Sequence, residues 1–235
     1  VHYKNMVFEG ERVKAFVNLP KKDSKITDIW MEKEDGTYVL AGTAGIGPKH
    51  ETSALDSLIS KLDKPEKLVI LSDIKEGLKS NKRVKVKMGF DQHMGDLYPF
   101  TLNDKLAVIT EHDEWYSEEN GNKSPWRKPI IPIEMISVLT NFSGNPSNFS
   151  VKGPVIGLFA NQEIKLFNGP LFVDEEYQIE KEIIALSQSK RVETYWCMTS
   201  VYDKENILVA ECLLNQAFLK DSYKNYEQEL KDISG

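Results

Sequence analysis

Two stretches far apart in this chain carry the same order of features, and that duplication limits its fold more than any other property. NMVFEGERVKAFVNLP, from Asn5, and GPLFVDEEYQIEKEIIAL, from Gly169, each run from a short apolar lead-in ending in phenylalanine (Phe8, Phe172) through acidic residues into an alternating strand. A hairpin follows each. The first is ITDIWMEKEDGTYVLAGTAGI, with Trp30 and the turn Asp35-Gly36; the second is VETYWCMTSVYDKENILVAECLLNQAF, with Trp196 and the turn Asp203 to Asn206. Asp-Gly between alternating runs is a strong hairpin signal, and Asp, Lys, Glu and Asn suit the longer turn. Strand followed by hairpin, twice, predicts an α+β chain dominated by antiparallel sheet. Counting outward from the second turn puts Tyr202 opposite Ile207 and Cys197 opposite Cys212. Opposed strand residues lie close, so the thiols read as a redox pair or, the favoured reading, as two small buried fillers.

The second copy has a long lead-in. ETSALDSLISKL (51–62) has helical apolar spacing with Thr52 or Ser53 as its cap, and KLVILSDI after Pro65 reads as a buried strand. Residues 47–87 are therefore an ordered connector. Thr101 or Asn103 caps a helix reaching about His112. A polar loop with Asn120-Gly121 leads to a second helix near Pro132 to Phe142, apolar almost all round, which predicts that sheet wraps it. The 235 residues hold one large core or two modest ones.

A net charge of −6 speaks against a nucleic-acid partner. The local basic stretch SNKRVKVK alternates Val84, Val86 and Met88 with Arg83, Lys85 and Lys87, as a strand with one wet face does. No apolar run approaches a membrane span and no secretory signal opens the chain. Two cysteines and four scattered histidines (His2, His50, His93, His112) form no metal spacing, so a reduced, cytoplasmic setting is expected. No nucleophile elbow, phosphate loop or dinucleotide fingerprint occurs.

An apolar helix followed by long antiparallel strands is the outline of a hot-dog fold. FDQHMGDLYPFTLNDKL, HDEWYSEENGNKSPWRKPIIPIEM and ANQEIKLFNGPLFVDEEYQIEKEIIAL together resemble the MaoC-like acyl dehydratases, the family of (R)-specific enoyl-CoA hydratases. Members often carry two hot-dog units in tandem. The resemblance covers Phe90 to Leu219 and, as a partial copy, residues 5–46. It implies a double hot-dog, with 1–46 a partial first unit lacking its helix, 47–87 the connector and 88–235 a complete second unit with a C-terminal tail. One pseudo-dimer per chain follows, dimerising again or pairing with a second hot-dog chain.

The resemblance implies addition or removal of water at an enoyl or 3-hydroxyacyl thioester of fatty-acid metabolism. Coenzyme A or an acyl carrier enters as substrate and no cofactor is needed. The chemistry needs an oriented water, a base, an acid and an oxyanion donor. The family's D-x-N-P-x-H motif meets Glu111-His112-Asp113-Glu114-Trp115-Tyr116 here: the Asn-Pro pair is absent and Tyr116 stands in the histidine's place. Asp113 and His112, with Tyr116 as donor, are the candidate catalytic residues, or else polar residues capping a helix end. Trp115, Trp126, Ile133 and Met135 are the candidate substrate-binding residues, the tryptophans lining a pocket mouth or stapling the loop onto the sheet. His93, Asn141 and Ser143 read as structural. Asn161 and Glu163 point away from the helix if Phe159 and Ile164 point toward it. A degenerate acyl-thioester-binding or partner-supporting module is the alternative. Thioesterase chemistry, with only Glu134 as a carboxylate on the central helix, is the least favoured.

Overall fold

Residues 1–19, 24–47, 53–95, 98–109, 113–141 and 148–233 are described by a computed structural model. The strands are β1 (His2–Tyr3), which the sequence reading did not foresee, β2 (Val13–Val17), β3 (Ile26–Lys33), β4 (Tyr38–Gly45), β5 (Val84–Val86), β6 (Gly157–Leu166), β7 (Tyr177–Gln188), β8 (Val192–Tyr202) and β9 (Leu208–Leu219). They form one antiparallel sheet in the order β2-β3-β4-β1-β6-β9-β8-β7-β5. The run β2-β3-β4 is mirrored by β7-β8-β9, and β1 and β6 meet in the middle. Antiparallel pairing of His2 with Asn161 joins the two halves into one sheet. Gly36, at φ +81°, makes the β3–β4 turn that a side chain would strain.

The α-helices among the described residues are α1 (Ala54–Ile59), α2 (Leu102–Val108), α3 (Ile133–Asn141) and α4 (Tyr226–Asp232). Ser53 and Thr101 begin α1 and α2 with reciprocal capping boxes, through Asp56 and Asp104. α2 ends at Val108, short of the expected limit, and His112 lies outside the described residues. Met135, Ile136, Val138 and Leu139 of α3 are buried against Ile179, Val201 and Ala210 of the second half of the sheet. The apolar helix is thus wrapped, as its composition demands. α1 covers the opposite face, where Leu55 meets Ala185, Trp196 and Leu213.

Two further expectations are corrected. KLVILSDI is no strand: it runs through turns, with Val69, Ile70, Leu71 and Ile74 buried in a separate core. Its amides find a partner in Glu193, whose carboxylate accepts from Val69 N–H at 2.8 Å and Leu71 N–H at 3.0 Å. A side chain of β8 thereby replaces a ladder. Cys197 pairs with Leu214, and Cys212 with Thr199, because Tyr202 pairs with Leu208 rather than Ile207 and the register slips one more residue between Val201 and Tyr202. Both cysteines are buried free thiols. The basic stretch becomes β5 at the sheet margin, where Lys85 meets Glu176 at 2.7 Å and Lys87 meets Asp174 at 3.4 Å. A bulge between Phe159 and Asn161 lets Phe159 and Ile164 share the α3 face while Asn161 and Glu163 face away.

Where β1 joins the halves, Gly42 leaves no room. A Cβ there would lie 2.7 Å from Val1 Cα and 2.8 Å from Val1 Cγ1. Gly42→Ala is expected to cost about 1–2 kcal/mol by displacing β1. Urea unfolding would check it, and an unchanged midpoint would refute the contact.

Candidate functional site

Asp113 starts a 3₁₀ turn, Glu114–Tyr116, and its Oδ1 accepts from Trp115 N–H at 2.8 Å. That local bond fixes the turn and leaves Oδ2 available. Asp113 and Tyr116 then line one cavity of about 290 Å³ with Leu106, Ile109, Glu114, Ser117 and Asn120. The turn is tied to the segment that precedes α3, since Ile130 N–H donates to Trp115 C=O at 2.9 Å. The Trp115 ring meets Trp126 edge-on at 5.9 Å, and Trp126 meets Phe172 at 6.2 Å. The tryptophans therefore staple the loop to the second copy's lead-in phenylalanine. Met135 is buried in the core beneath the sheet, whereas Ile133 is exposed at the first turn of α3.

Ile133 borders a second cavity, of about 650 Å³, whose walls come from both halves: Lys25, Ile26 and the end of β4 on one side, Glu163 to Leu166 of β6 on the other. Its rim carries charges. Lys165 Nζ lies 2.8 Å from Glu163 and 3.3 Å from Asp56. Burial pulls the Lys165 pKa down, but the bonds to Glu163 and the charge of Asp56 raise it overall. Burial raises Glu211, across the strand, with Glu163 and Asp56 adding to the rise and Lys165 opposing it.

A third cavity, of about 310 Å³, lies at the C-terminal end of α3 and contains Lys181, Cys197, Asn141 and Asn148. Lys181 is 2% exposed and donates to Asn148 Oδ1 at 2.6 Å and Asn141 Oδ1 at 3.3 Å. No carboxylate contacts it among the described residues, and burial lowers its pKa. Burial drives the Cys197 thiol up to about 11, so it is no nucleophile at neutral pH. A polar thread also runs below α3: Tyr3 donates to Gln162 at 2.6 Å, and Gln162 lies 3.6 Å from Cys212 Sγ. Tyr98, pushed up to about 12 mainly by burial, borders it.

Sequence reasoning missed Lys181 and Glu193. The available signal was phase: Lys181 falls in step with the apolar Tyr177, Ile179 and Ile183, and Glu193 with Tyr195 and Cys197. Among the described residues no group of three or more His, Cys, Asp or Glu is placed to hold a metal ion, and no helix is long and apolar enough to cross a membrane.

No protein-family model and no curated protein matches the sequence. Among solved structures, 93% of this chain aligns with 73% of a putative MaoC domain protein dehydratase from Chloroflexus aurantiacus J-10-fl, at TM-score 0.53 and 11% identity. The chain has the MaoC-like hot-dog fold. Weaker likenesses include a monoamine oxidase regulatory protein from Archaeoglobus fulgius, at TM-score 0.48 and 14% identity over 64% of this chain and 94% of that one. A MaoC-like dehydratase from Rhodospirillum rubrum gives TM-score 0.42 and 12% identity over 64% and 97%. The hot-dog description accounts for the α3-wrapping sheet and for β1 and β6 as the seam between units. At such identities the likeness concerns fold, and activity must be argued from the side chains.

Proposed function

We propose that this hot-dog chain is a hydro-lyase for an enoyl or 3-hydroxyacyl thioester of coenzyme A or an acyl carrier. The supporting observation is that Asp113 and Tyr116 line the same 290 Å³ cavity, on a turn tied to the lead-in of α3. In the hydration direction, water oxygen bonds to the β-carbon and its proton passes to Asp113 Oδ2. The thioester oxygen takes the developing charge and accepts from Tyr116 O–H. A proton returned from the Asp113 carboxyl to the α-carbon completes the 3-hydroxyacyl thioester. The base is regenerated, and no oxidant or cofactor enters the balance.

Loss of enoyl absorbance across a trans-2-enoyl-CoA series tests this. Asp113→Asn is expected to lower kcat/KM about 100-fold and Tyr116→Phe about tenfold. His112→Ala completes the set. Rates unchanged in all three variants would remove these residues from the chemistry.

A second reading, thioester binding without turnover, is favoured by two features. One Asp113 oxygen is already engaged in capping the turn, and a tyrosine stands where the family has its histidine. Saturable binding of an enoyl-CoA by calorimetry, with constant enoyl absorbance, would establish that reading instead.

A further inference from the structure

Lys181 is a buried cation without a counter-charge, and it borders a cavity. An ammonium carries three donors. Two are used by Asn148 Oδ1 at 2.6 Å and Asn141 Oδ1 at 3.3 Å, and the third has no acceptor among the described residues. Amide oxygens offer only partial charge. The titratable groups on the facing strands offer none at neutral pH: burial pushes Cys197 of β8 up to about 11, and it also raises Tyr195 of β8 and Cys212 of β9. None of the described residues lining the cavity is acidic, and residues 142–147, between the two asparagines in the chain, include no Asp or Glu. A charge buried in this way is costly until an opposite charge pairs with it.

The rest of the cavity says what that opposite charge is attached to. The sheet sets Lys181 opposite Thr199, whereas Tyr195 and its partner Gln216, four residues farther along β8, line the same space. Four residues of strand span roughly 13 Å. Between these points the walls are apolar, from Phe149, Val151, Leu214 and Phe218. The Tyr195 hydroxyl donates to Gln216 Oε1, so that phenol is engaged within the wall. One positive charge beside an apolar space suits a ligand with one negative charge and an apolar body. A phosphate, at about −1.5 to −2 near neutral pH, would leave excess negative charge buried near the carbonyl end of α3. An alcohol or an amine would leave the ammonium uncompensated.

We propose that this cavity binds a small aliphatic monocarboxylate, whose carboxylate accepts from Lys181 Nζ and whose chain lies against Phe149, Leu214 and Phe218. The space of about 310 Å³ holds about ten water-sized groups, so chains of up to about eight carbons fit. The two asparagine oxygens hold the ammonium in place, and its remaining donor makes a charge-assisted bond to the ligand. The site shares no lining residue with the cavity at Asp113, and it stands independently of the hydro-lyase reading.

Calorimetric titration of the chain with sodium hexanoate is the test, with an expected Kd of about 0.1 mM. Hexan-1-ol keeps the apolar body without the charge, and inorganic phosphate keeps a charge without the body. Each is expected to bind the same protein at least about tenfold more weakly. Lys181→Met retains most of the side chain's bulk and is expected to weaken hexanoate binding at least about 30-fold. Saturation with hexanoate should also shift the methyl resonances of Val151 and Leu214, which places the ligand. The site is overturned if hexanoate fails to bind at up to about 5 mM. Equal binding of hexan-1-ol or of phosphate, undiminished binding by Lys181→Met, or saturation that leaves both methyl signals unmoved would overturn it as well.

Discussion

Glu193→Leu is expected to cost about 3–5 kcal/mol of folding stability, because three donors lose their acceptor inside a core. The carboxylate is 0% exposed and accepts from Val69 N–H, Leu71 N–H and, at 2.8 Å, Tyr226 O–H. It thereby joins three parts of the chain: the turn-rich connector, strand β8 and helix α4. Leucine matches glutamate in bulk, so little cavity forms and the penalty is that of unpaired donors. Burial, then the bond and charge of Glu193, raise the Tyr226 pKa, as expected for a phenol donating to a buried carboxylate. Glu193→Gln keeps one side-chain acceptor and should cost about half as much. Urea unfolding with both variants decides the matter. A Glu193→Leu loss below about 1 kcal/mol would mean that water or relaxation satisfies these donors.

The same residue shows where sequence reading stopped. Alternation and turn chemistry disclosed the strands, both hairpins and the apolar helix because those signals are local. KLVILSDI looked like a strand because an apolar run carries no record of where its amides bond, and here the acceptor lies on β8. Cys197 and Cys212 were placed opposite each other because neither the one-residue offset at the turn nor the one-residue slip beside it leaves a mark in composition. At the candidate site, the Asp113–Tyr116 spacing was legible because both residues belong to one short turn. The cavity walled by the ends of β4 and β6 was not, since it depends on the two halves meeting through β1. Lys181 was overlooked because a lysine in a strand is read as solvated by default, although its phase placed it among buried neighbours.

Lys181→Met is expected to stabilise the protein at neutral pH by about 1–4 kcal/mol, the range found when buried charge gives way to apolar bulk of similar volume. Two effects compete at this site. The ammonium lies beside Asn141, the last residue of α3, where the negative end of the helix dipole offers at most about 2 kcal/mol. Removing the charge from water without a carboxylate partner costs several kcal/mol, so desolvation wins. Burial lowers the Lys181 pKa from 10.5. For a lysine shifted down, the unfolded state binds more protons between the folded and unfolded values, so stability rises with pH across that window. The cost is complete below the folded pKa and vanishes as pH approaches 10.5. The advantage of Lys181→Met should therefore be greatest near neutrality and should shrink toward pH 10. Chemical denaturation of both proteins across that range is the measurement. An advantage independent of pH would show that better packing rather than loss of charge produced it, and a destabilised variant would show that the two asparagine oxygens and the helix terminus fully compensate the buried ammonium.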